Sequence, residues 1–424
     1  MNKVEMKYSG IDWIGDVPNS FLTKRVSDFF TSPKKITSPG RTDVLSLTLN
    51  GVIEKDIESN KGLSPESYDT YQIFKKNDLV FKLIDLANYQ TSRVGVVWKD
   101  GIMSSAYIRL AKKRNTNIDY FFYQFFDLYK RAVFNMLGGN GVRSAINRGD
   151  LLKLNIIVPS KNEQTAIVNY LDHHTTKIYK EISLLEQKVQ MLDEYKKSLI
   201  YEIVTKGLDK NVQMKDSGIS WIGMIPKHWK VKRVKEFAKW QTGFTPDSKN
   251  EAYYEGNNDW ITIGDMDGKY IKESKNKING SLFPKHWITP ANSLLFSFKL
   301  SIGQVAFNKT EVFTNEAICS FSTKSNINLN YFYYAAPIFI VKNAKKNIYN
   351  ADLLNQDLIA NANCLMIPKN EQKQIADYLD EQCSKIDKRK ELINKKIELL
   401  KEYMQSLVFE AVTGKINIGE EYDR

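Results

Sequence analysis

Apolar residues recur in steps of four and three along two stretches of the chain. The first series is Ile178, Ile182, Leu185, Val189, Leu192, Leu199 and Ile203; the second is Ile386, Ile393, Ile397, Leu400, Met404 and Leu407. A stripe this narrow fits a helix whose seam faces one other helix. Each series predicts a long helix of about 30 residues, roughly 45 Å at the helical rise. Lys196 and Lys390 interrupt the seam. Ahead of each helix the pattern changes to short β-branched and aromatic runs: Asp78 to Lys82, Val94 to Trp98, Ser293 to Phe298 and Gln304 to Phe307. Such runs predict strands. An aromatic helix follows, from Tyr120 to Phe134 and again from Tyr331, and then a closing strand, Asn155 to Pro159 or Cys364 to Pro368. Asn162 and Asn370 are expected to cap the long helices. The fold class is α+β.

The two stretches are copies. Lys7-Tyr-Ser-Gly-Ile-Asp-Trp-Ile-Gly-Asp-Val-Pro18 returns as Lys215-Asp-Ser-Gly-Ile-Ser-Trp-Ile-Gly-Met-Ile-Pro226. Asn162-Glu-Gln-x-x-Ile-x-x-Tyr-Leu-Asp172 returns as Asn370-Glu-Gln-x-x-Ile-x-x-Tyr-Leu-Asp380. Between Asn162 and Thr205, 20 of 44 positions are identical at the single offset of 208, which shared composition does not produce. The chain is an internal duplication. Residues 31 to 158 and 239 to 366 share only scattered pieces, so two similar frames carry two different surfaces. The expected organisation is a globular module over 1–158, a long helix over 159–208, a second module over 209–367 and a second long helix over 368–424. A pseudo-twofold would lay the two helices side by side as an antiparallel coiled coil.

Composition narrows the class. In 424 residues there are 61 Lys and Arg against 49 Asp and Glu, a formal charge of +12, while 42% hydrophobic content is enough for two cores. The excess favours polyanions, with nucleic acid first. No apolar run is long enough to span a bilayer, and the first residues lack the apolar core of a signal peptide, so a cytoplasmic protein with no membrane role is expected. Cys319, Cys364 and Cys383 have no metal spacing and read as reduced thiols.

Motifs of chemistry are absent. No Gly-x-Gly-x-x-Gly opens a helix, the spacing in Gly264-Asp-Met-Asp-Gly268-Lys269 does not make a phosphate loop, and no Asp-Pro-Pro-Tyr or Asn-Pro-Pro-Tyr occurs. His173, His174 and His228 are replaced in the other copy by Glu381, Gln382 and Ser20, which is the behaviour of surface positions rather than metal ligands. The chain reads as one without an active site or a metal.

The order of these parts resembles the DNA-specificity subunit of Type I restriction-modification systems, and the resemblance covers the whole chain. It implies that each module is a target recognition domain reading one half of a split double-stranded DNA sequence. The coiled coil would fix the gap between half-sites and dock two adenine-specific methyltransferase subunits, and a translocating restriction subunit would join them. S-adenosylmethionine and ATP with Mg would belong to those partners, with no cofactor in this chain. In such a role Lys and Arg grip phosphates, while Arg, Lys, Asn and Gln read base edges. The first module offers Asn140, Arg143, Asn147 and Arg148, which follow glycines that permit close approach to DNA, with Lys82, Gln90 and Arg93 at strand edges. The second offers Lys345, Lys346, Asn347 and Tyr349, with Lys299, Ser301 and Gln304. Trp13 and Trp221, kept by both modules, read as core or interface anchors.

Three other readings stay open at this level: a two-domain coiled-coil adaptor for acidic protein partners, a DNA-modifying enzyme, and a dimeric transcription regulator. The adaptor leaves the divergent middles without a reason, the enzyme lacks motifs, and the regulator lacks a helix-turn-helix. Purified alone, the chain is expected neither to methylate nor to cut DNA. Transfer of a labelled methyl group from S-adenosylmethionine to DNA by the chain alone would contradict this reading.

Overall fold

A computed structural model describes residues 5–49, 51–57, 65, 67–86, 93–137, 145–346, 352–416 and 418. The chain divides into two compact units, Met1–Glu186 with Asn394–Arg424, and Gln187–Ile393. Each long helix is therefore shared between the units rather than forming a body of its own.

In the first unit the framing elements are β1 (Leu22–Arg25), β2 (Phe30–Thr31), β3 (Leu79–Phe81), β4 (Val94–Val96), β5 (Ile108–Lys112), α1 (Ile118–Lys130), β6 (Asn155–Val158) and the start of α2 (Lys161–Lys206). The second repeats them as β7 (Lys230–Arg233), β8 (Trp240–Thr242), β9 (Leu294–Ser297), β10 (Val305–Phe307), β11 (Ile318–Phe321), α3 (Leu329–Phe339), β12 (Asn363–Met366) and the start of α4 (Lys369–Val412). The central sheets have the same order, β2-β5-β3-β4 and β8-β11-β9-β10. All their pairings are antiparallel. Leu79, Val80 and Phe81 are fully buried, as are Leu294, Leu295 and Phe296, which explains why these strands read as unbroken apolar runs rather than alternating ones. The aromatic helices pack on the sheets through edge-to-face rings, Phe81 on Phe125 at 5.0 Å and Phe321 on Phe332 at 4.9 Å.

In each unit the strand that follows the N-terminal hairpin pairs with the strand that precedes the long helix. β1 runs antiparallel to β6 from Leu22↔Val158 to Arg25↔Asn155, and β7 to β12 from Lys230↔Met366 to Arg233↔Asn363. A long helix starts directly after each closing strand. Its repeated Asn-Glu-Gln has distinct duties. The cap is Ser160 and not Asn162: its hydroxyl accepts from the Glu163 amide at 3.3 Å, and the Glu163 carboxylate accepts from the Ser160 amide at 2.7 Å. That reciprocal pair satisfies two donors at once, which Asn162, already the second residue of the helix, could not do. At the second copy Pro368 stands in the capping place, and Glu371 accepts instead from Trp229 Nε1 at 2.9 Å and bonds His228 Nε2 at 2.7 Å. The glutamines are buried; Gln164 Nε2 donates to Pro159 O at 3.0 Å and Gln372 Nε2 to Ile367 O at 2.8 Å.

The helices are longer than the apolar series alone suggested, 46 and 44 residues, because the turns ahead of the seam bury their own apolar residues, Ile167, Tyr170 and Leu171 in one and Ile375, Ala376 and Leu379 in the other. They end beside Gly207 and Gly414 in the left-handed conformation, φ 80° and 69°. Within each unit their segments run antiparallel. In the second unit Lys196 pairs with Asp387 at 2.7 Å and Lys390 with Asp193. In the first, Lys396 pairs with Glu181 at 2.6 Å, while Ile167 and Ala411 line one recess. The two lysines that broke the seam thus join the helices by ion pairs. The expected seam residues all lie inward: Ile178, Ile182, Leu199, Ile386, Ile397, Met404 and Leu407 are buried, and Leu185, Val189, Leu192, Ile393 and Leu400 half-buried. Cys319, Cys364 and Cys383 are free and buried. No helix among the described residues is long and apolar enough to cross a membrane.

Besides its own donor bond, Gln372 accepts from the Asn328 amide at 2.7 Å, tying the aromatic helix's cap to the closing strand. Gln372→Leu keeps the volume but leaves two backbone groups unsatisfied. It is expected to destabilise the protein by about 1–3 kcal/mol, read as a lower urea midpoint; an unchanged midpoint would refute this role.

Candidate nucleic-acid interface

In each unit the segment that follows the sheet's central strand packs against the segment that follows the aromatic helix. In the first, the Ile146 amide donates to Leu83 O at 3.0 Å. Leu83, Ile84, Tyr107, Asn147 and Arg148 line a recess of about 300 Å³. The two groups of positions predicted separately along the sequence, around Lys82 and around Arg148, are therefore neighbours. In the second unit the hairpin between β9 and β10 meets the turn Val341–Asn343: a Cβ on Gly303 would lie 2.8 Å from Val341 Cγ2. Lys345–Lys346 follows at once, pairing with Asp352–Leu353.

Arg148 has the strongest claim. Its Nε is buried and has no hydrogen-bond partner among the described residues. A buried guanidinium donor left open beside a recess is suited to an acceptor brought by a ligand, whether phosphate or base edge. Lys82 is half-buried, its amide donating to Arg93 O at 3.0 Å. Lys299 is exposed with its Nζ 5.9 Å over the Phe298 ring. Lys345 is exposed, and Lys346 is exposed in an ion pair with Asp352 at 2.8 Å.

Three expected readers have other duties. Arg93 is 2% exposed and donates to Ile84 O at 2.8 Å and Asp85 O at 2.7 Å. It pins the backbone of the segment after β3, where Asp85 sits at φ 52°, and in this position cannot reach a base. Asn147 is the N-cap of Arg148–Lys153; its Oδ1 accepts from the Asp150 amide at 3.0 Å, and its Nδ2 donates to the Asp150 carboxylate. Gln304 is half-buried, its Nε2 donating to Met266 O. Local backbone groups within reach outcompete solvent for these long polar side chains, a competition that spacing along a sequence does not reveal. Gln90, Asn140, Arg143, Asn347 and Tyr349 lie outside the described residues.

Sequence reasoning missed Leu300. It stands at the hairpin tip, 80% exposed, between Lys299 and Ser301. Leu300 and Ser301 both have positive φ, 49° and 29°. Such conformations cost about 1–3 kcal/mol each and persist only where the surroundings hold them. Here buried Ser297 does so: its Oγ donates to Ser301 O at 2.6 Å and accepts from the Gln304 amide at 3.0 Å, and its carbonyl accepts from Gly303 N at 2.9 Å. A large apolar side chain held outward beside a lysine can touch a thymine methyl or the edge of a base step. The hydroxyl of Ser301 shares this tip. Gly303 within the hairpin was the available signal.

Comparisons with known proteins agree with this layout. The model of the Type I restriction modification DNA specificity domain matches residues 18–187 and 226–402. The Type I restriction enzyme MjaIX specificity subunit of Methanocaldococcus jannaschii is 30% identical over 118 residues, 27% of this chain and 27% of the relative. The MjaVIII specificity subunit of the same organism is 25% identical over 145 residues, 34% of this chain and 32% of the relative. The chain thus aligns with about a third or less of these curated relatives' length. Among solved structures, a chain from work on complex assembly and conformational transition of the type I R-M system has a TM-score of 0.70 at 13% identity, covering 94% of this chain and 99% of its own. The HsdS subunit from Thermoanaerobacter tengcongensis has a TM-score of 0.50 at 14% identity, covering 94% and 98%. At these identities the likeness shows the fold.

The geometry separates the arginine that braces from the lysine that is free to bind. Arg93→Met is expected to lower the unfolding midpoint, whereas Lys299→Ala should leave it in place. Lys299→Ala should instead reduce the slope of log affinity for duplex DNA against log salt by about one. The reverse pattern would exchange the two roles.

Proposed function

The chain belongs to the Type I restriction modification DNA specificity domain family, and on that basis we propose that it reads a bipartite double-stranded DNA target, one half with each unit. Adenine methylation and restriction are then carried out by partner subunits. The observation that carries the reading is the contrast between a repeated frame, matched by the family over both copies, and two different surfaces set at equivalent places on it. The net charge of +12 supports attachment through phosphates, a sequence-independent and salt-sensitive contribution. Arg148 with its open Nε, Lys82, Lys299 and the outward Leu300 supply the contacts by which the two surfaces differ.

Two methyltransferase subunits and a restriction subunit are the partners of this reading. S-adenosylmethionine sits on the former, ATP with Mg on the latter, and the chain is non-catalytic and works in the cytoplasm. A second apolar series on the long helices supports the docking of partner helices. Leu184, Met191 and Tyr195 are 56%, 67% and 57% exposed, and their counterparts Leu392, Leu399 and Tyr403 are 68%, 54% and 53% exposed. Steps of seven and four on both copies suit helix-on-helix packing. The adaptor for acidic proteins is not favoured, because the family matched is one of DNA specificity.

Exchange of residues 31 to 158 for the equivalent region of a related chain should change one half of the methylated sequence and leave the other intact. Arg148→Ala should relax the same half alone, by about 1–3 kcal/mol for a good base contact. Mapping N6-methyladenine in the host genome reads both. Changes in both halves from a folded hybrid would show that the units do not read independently.

A further inference from the structure

The duplication has left two equivalent grooves, one in each unit, that differ in how their carboxylates are neutralised. In the second unit a groove of about 650 Å³ is lined by Val305, Tyr333, Tyr334, Asp380, Lys196 and Asp387, among others. In the first, a groove of about 600 Å³ is lined by the counterparts Val94, Phe122, Tyr123, Asp172, Met404 and Tyr179. The hydrogen bond at the base of each is the same: Tyr334 Oη donates to the Asp380 carboxylate, and Tyr123 Oη to Asp172 Oδ1 at 2.6 Å.

The second groove is closed by its own cations. Lys269 Nζ lies 2.6 Å from Asp380 Oδ2 and 5.3 Å over the Tyr333 ring, and Lys196 pairs with Asp387 at 2.7 Å. At the corresponding places the first groove has Met404 for Lys196 and Tyr179 for Asp387. No lysine or arginine lines it among the described residues, and it gains a second carboxylate, Asp119. Both Asp119 and Asp172 are exposed, and Tyr179 is 53% exposed. Two cations are nearby: Lys112, whose charge is felt at Asp119, and Lys130, whose Nζ stands 5.1 Å over the Phe126 ring. Neither is ion-paired with Asp119 or Asp172 among the described residues. Partial burial first, and the Asp172 charge second, hold the Asp119 carboxyl above its ordinary value, with Lys112 opposing.

We propose that the groove of the first unit is a docking site for a lysine or arginine side chain carried on an apolar segment of a protein partner. The second groove shows the mode of occupation, with the cation on the carboxylate that the tyrosine also bonds and its stem against aromatic rings. In the first groove Phe122, Phe126, Tyr179 and Met404 provide apolar walls, and two carboxylates provide the counter-charge. The same carboxylates repel phosphate, so the groove is a protein site and stands apart from the surfaces proposed to read DNA. The inference adds a partner site to the DNA-reading function and does not rest on it.

The test uses the full chain and fluorescein-labelled fifteen-residue helical peptides, leucine- and alanine-rich, with one central Arg, Lys, norleucine or Glu. The Arg and Lys peptides are expected to bind at one site, about tenfold or more tighter than the norleucine and Glu peptides. Asp119→Asn with Asp172→Asn should abolish that preference while keeping the fold, because the amide oxygen introduced at position 172 still accepts from Tyr123. Lys269→Ala, which uncovers Asp380, should raise the number of sites from one to two. Equal binding of all four peptides, binding of none, or insensitivity to the paired Asn substitutions would overturn the proposal. Displacement of the bound peptide by duplex DNA together with tighter DNA binding by the doubly substituted chain would also overturn it, assigning the groove to nucleic acid.

Discussion

The pairing of β1 with β6, and of β7 with β12, is the constraint from which the rest follows. Once Leu22–Arg25 is hydrogen-bonded to Asn155–Val158, and Lys230–Arg233 to Asn363–Met366, the ends of a stretch of more than a hundred residues are held a strand spacing apart. What lies between can change in length and sequence without moving the place where the long helix begins. Side chains reinforce the closure. In the first unit Gln124 accepts from the Ile157 amide at 3.2 Å and donates to its carbonyl at 2.8 Å, doing for the closing strand what a further strand would do. In the second unit Gln372 ties the same strand to the aromatic helix. The frame is therefore the conserved quantity of the duplication, for a mechanical reason.

Divergence has run along two lines, charge and strain. Equivalent positions 196 and 404 hold a lysine and a methionine, and 182 and 390 an isoleucine and a lysine, so at these two places the second unit has ion pairs and the first has buried apolar side chains, its own helix-to-helix ion pair, Lys396 with Glu181, lying elsewhere. Ion pairs at a half-exposed helix boundary add little stability, but they orient partners and leave different charges on the flanking grooves. Strain marks the other difference. The hairpin of the second unit spends two left-handed non-glycine residues to hold Leu300 outward, while the matching segment of the first uses a buried arginine to hold its carbonyls. Two solutions to the same loop problem present two different chemistries at one site.

A buried pair in the first unit shows how closely electrostatics and packing are balanced there. Arg109 on β5 bonds Asp78 at the start of β3, both nearly out of water. Burial raises the Asp78 carboxyl above its ordinary value, and the guanidinium and the Lys75 amide oppose that rise. Such a pair contributes register more than stability, fixing where β3 begins and hence where Lys82 and the recess beside Arg148 come to lie.

By itself the sequence determined the duplication, the α+β class, the two long helices with their seams and three strands of each copy, while the strands that pair with them, Leu22–Arg25, Ile108–Lys112 and their counterparts, came only with the structure. The former depend on local periodicity and on identity between copies, both of which survive without coordinates. The helix cap was beyond it, because Ser160 and Asn162 are equally good capping residues until backbone geometry selects one. The duties of Arg93, Asn147 and Gln304 were also beyond it. An arginine's spacing in a chain does not say whether a carbonyl or water will stand opposite it; that is settled by segments brought together from distant positions, as Leu83 and Ile146 are. The contrast between the two grooves likewise needed the tertiary structure, since Lys269 reaches Asp380 across 111 residues of chain, and only packing could ion-pair one copy of the aspartate and leave the other without an ion pair among the described residues.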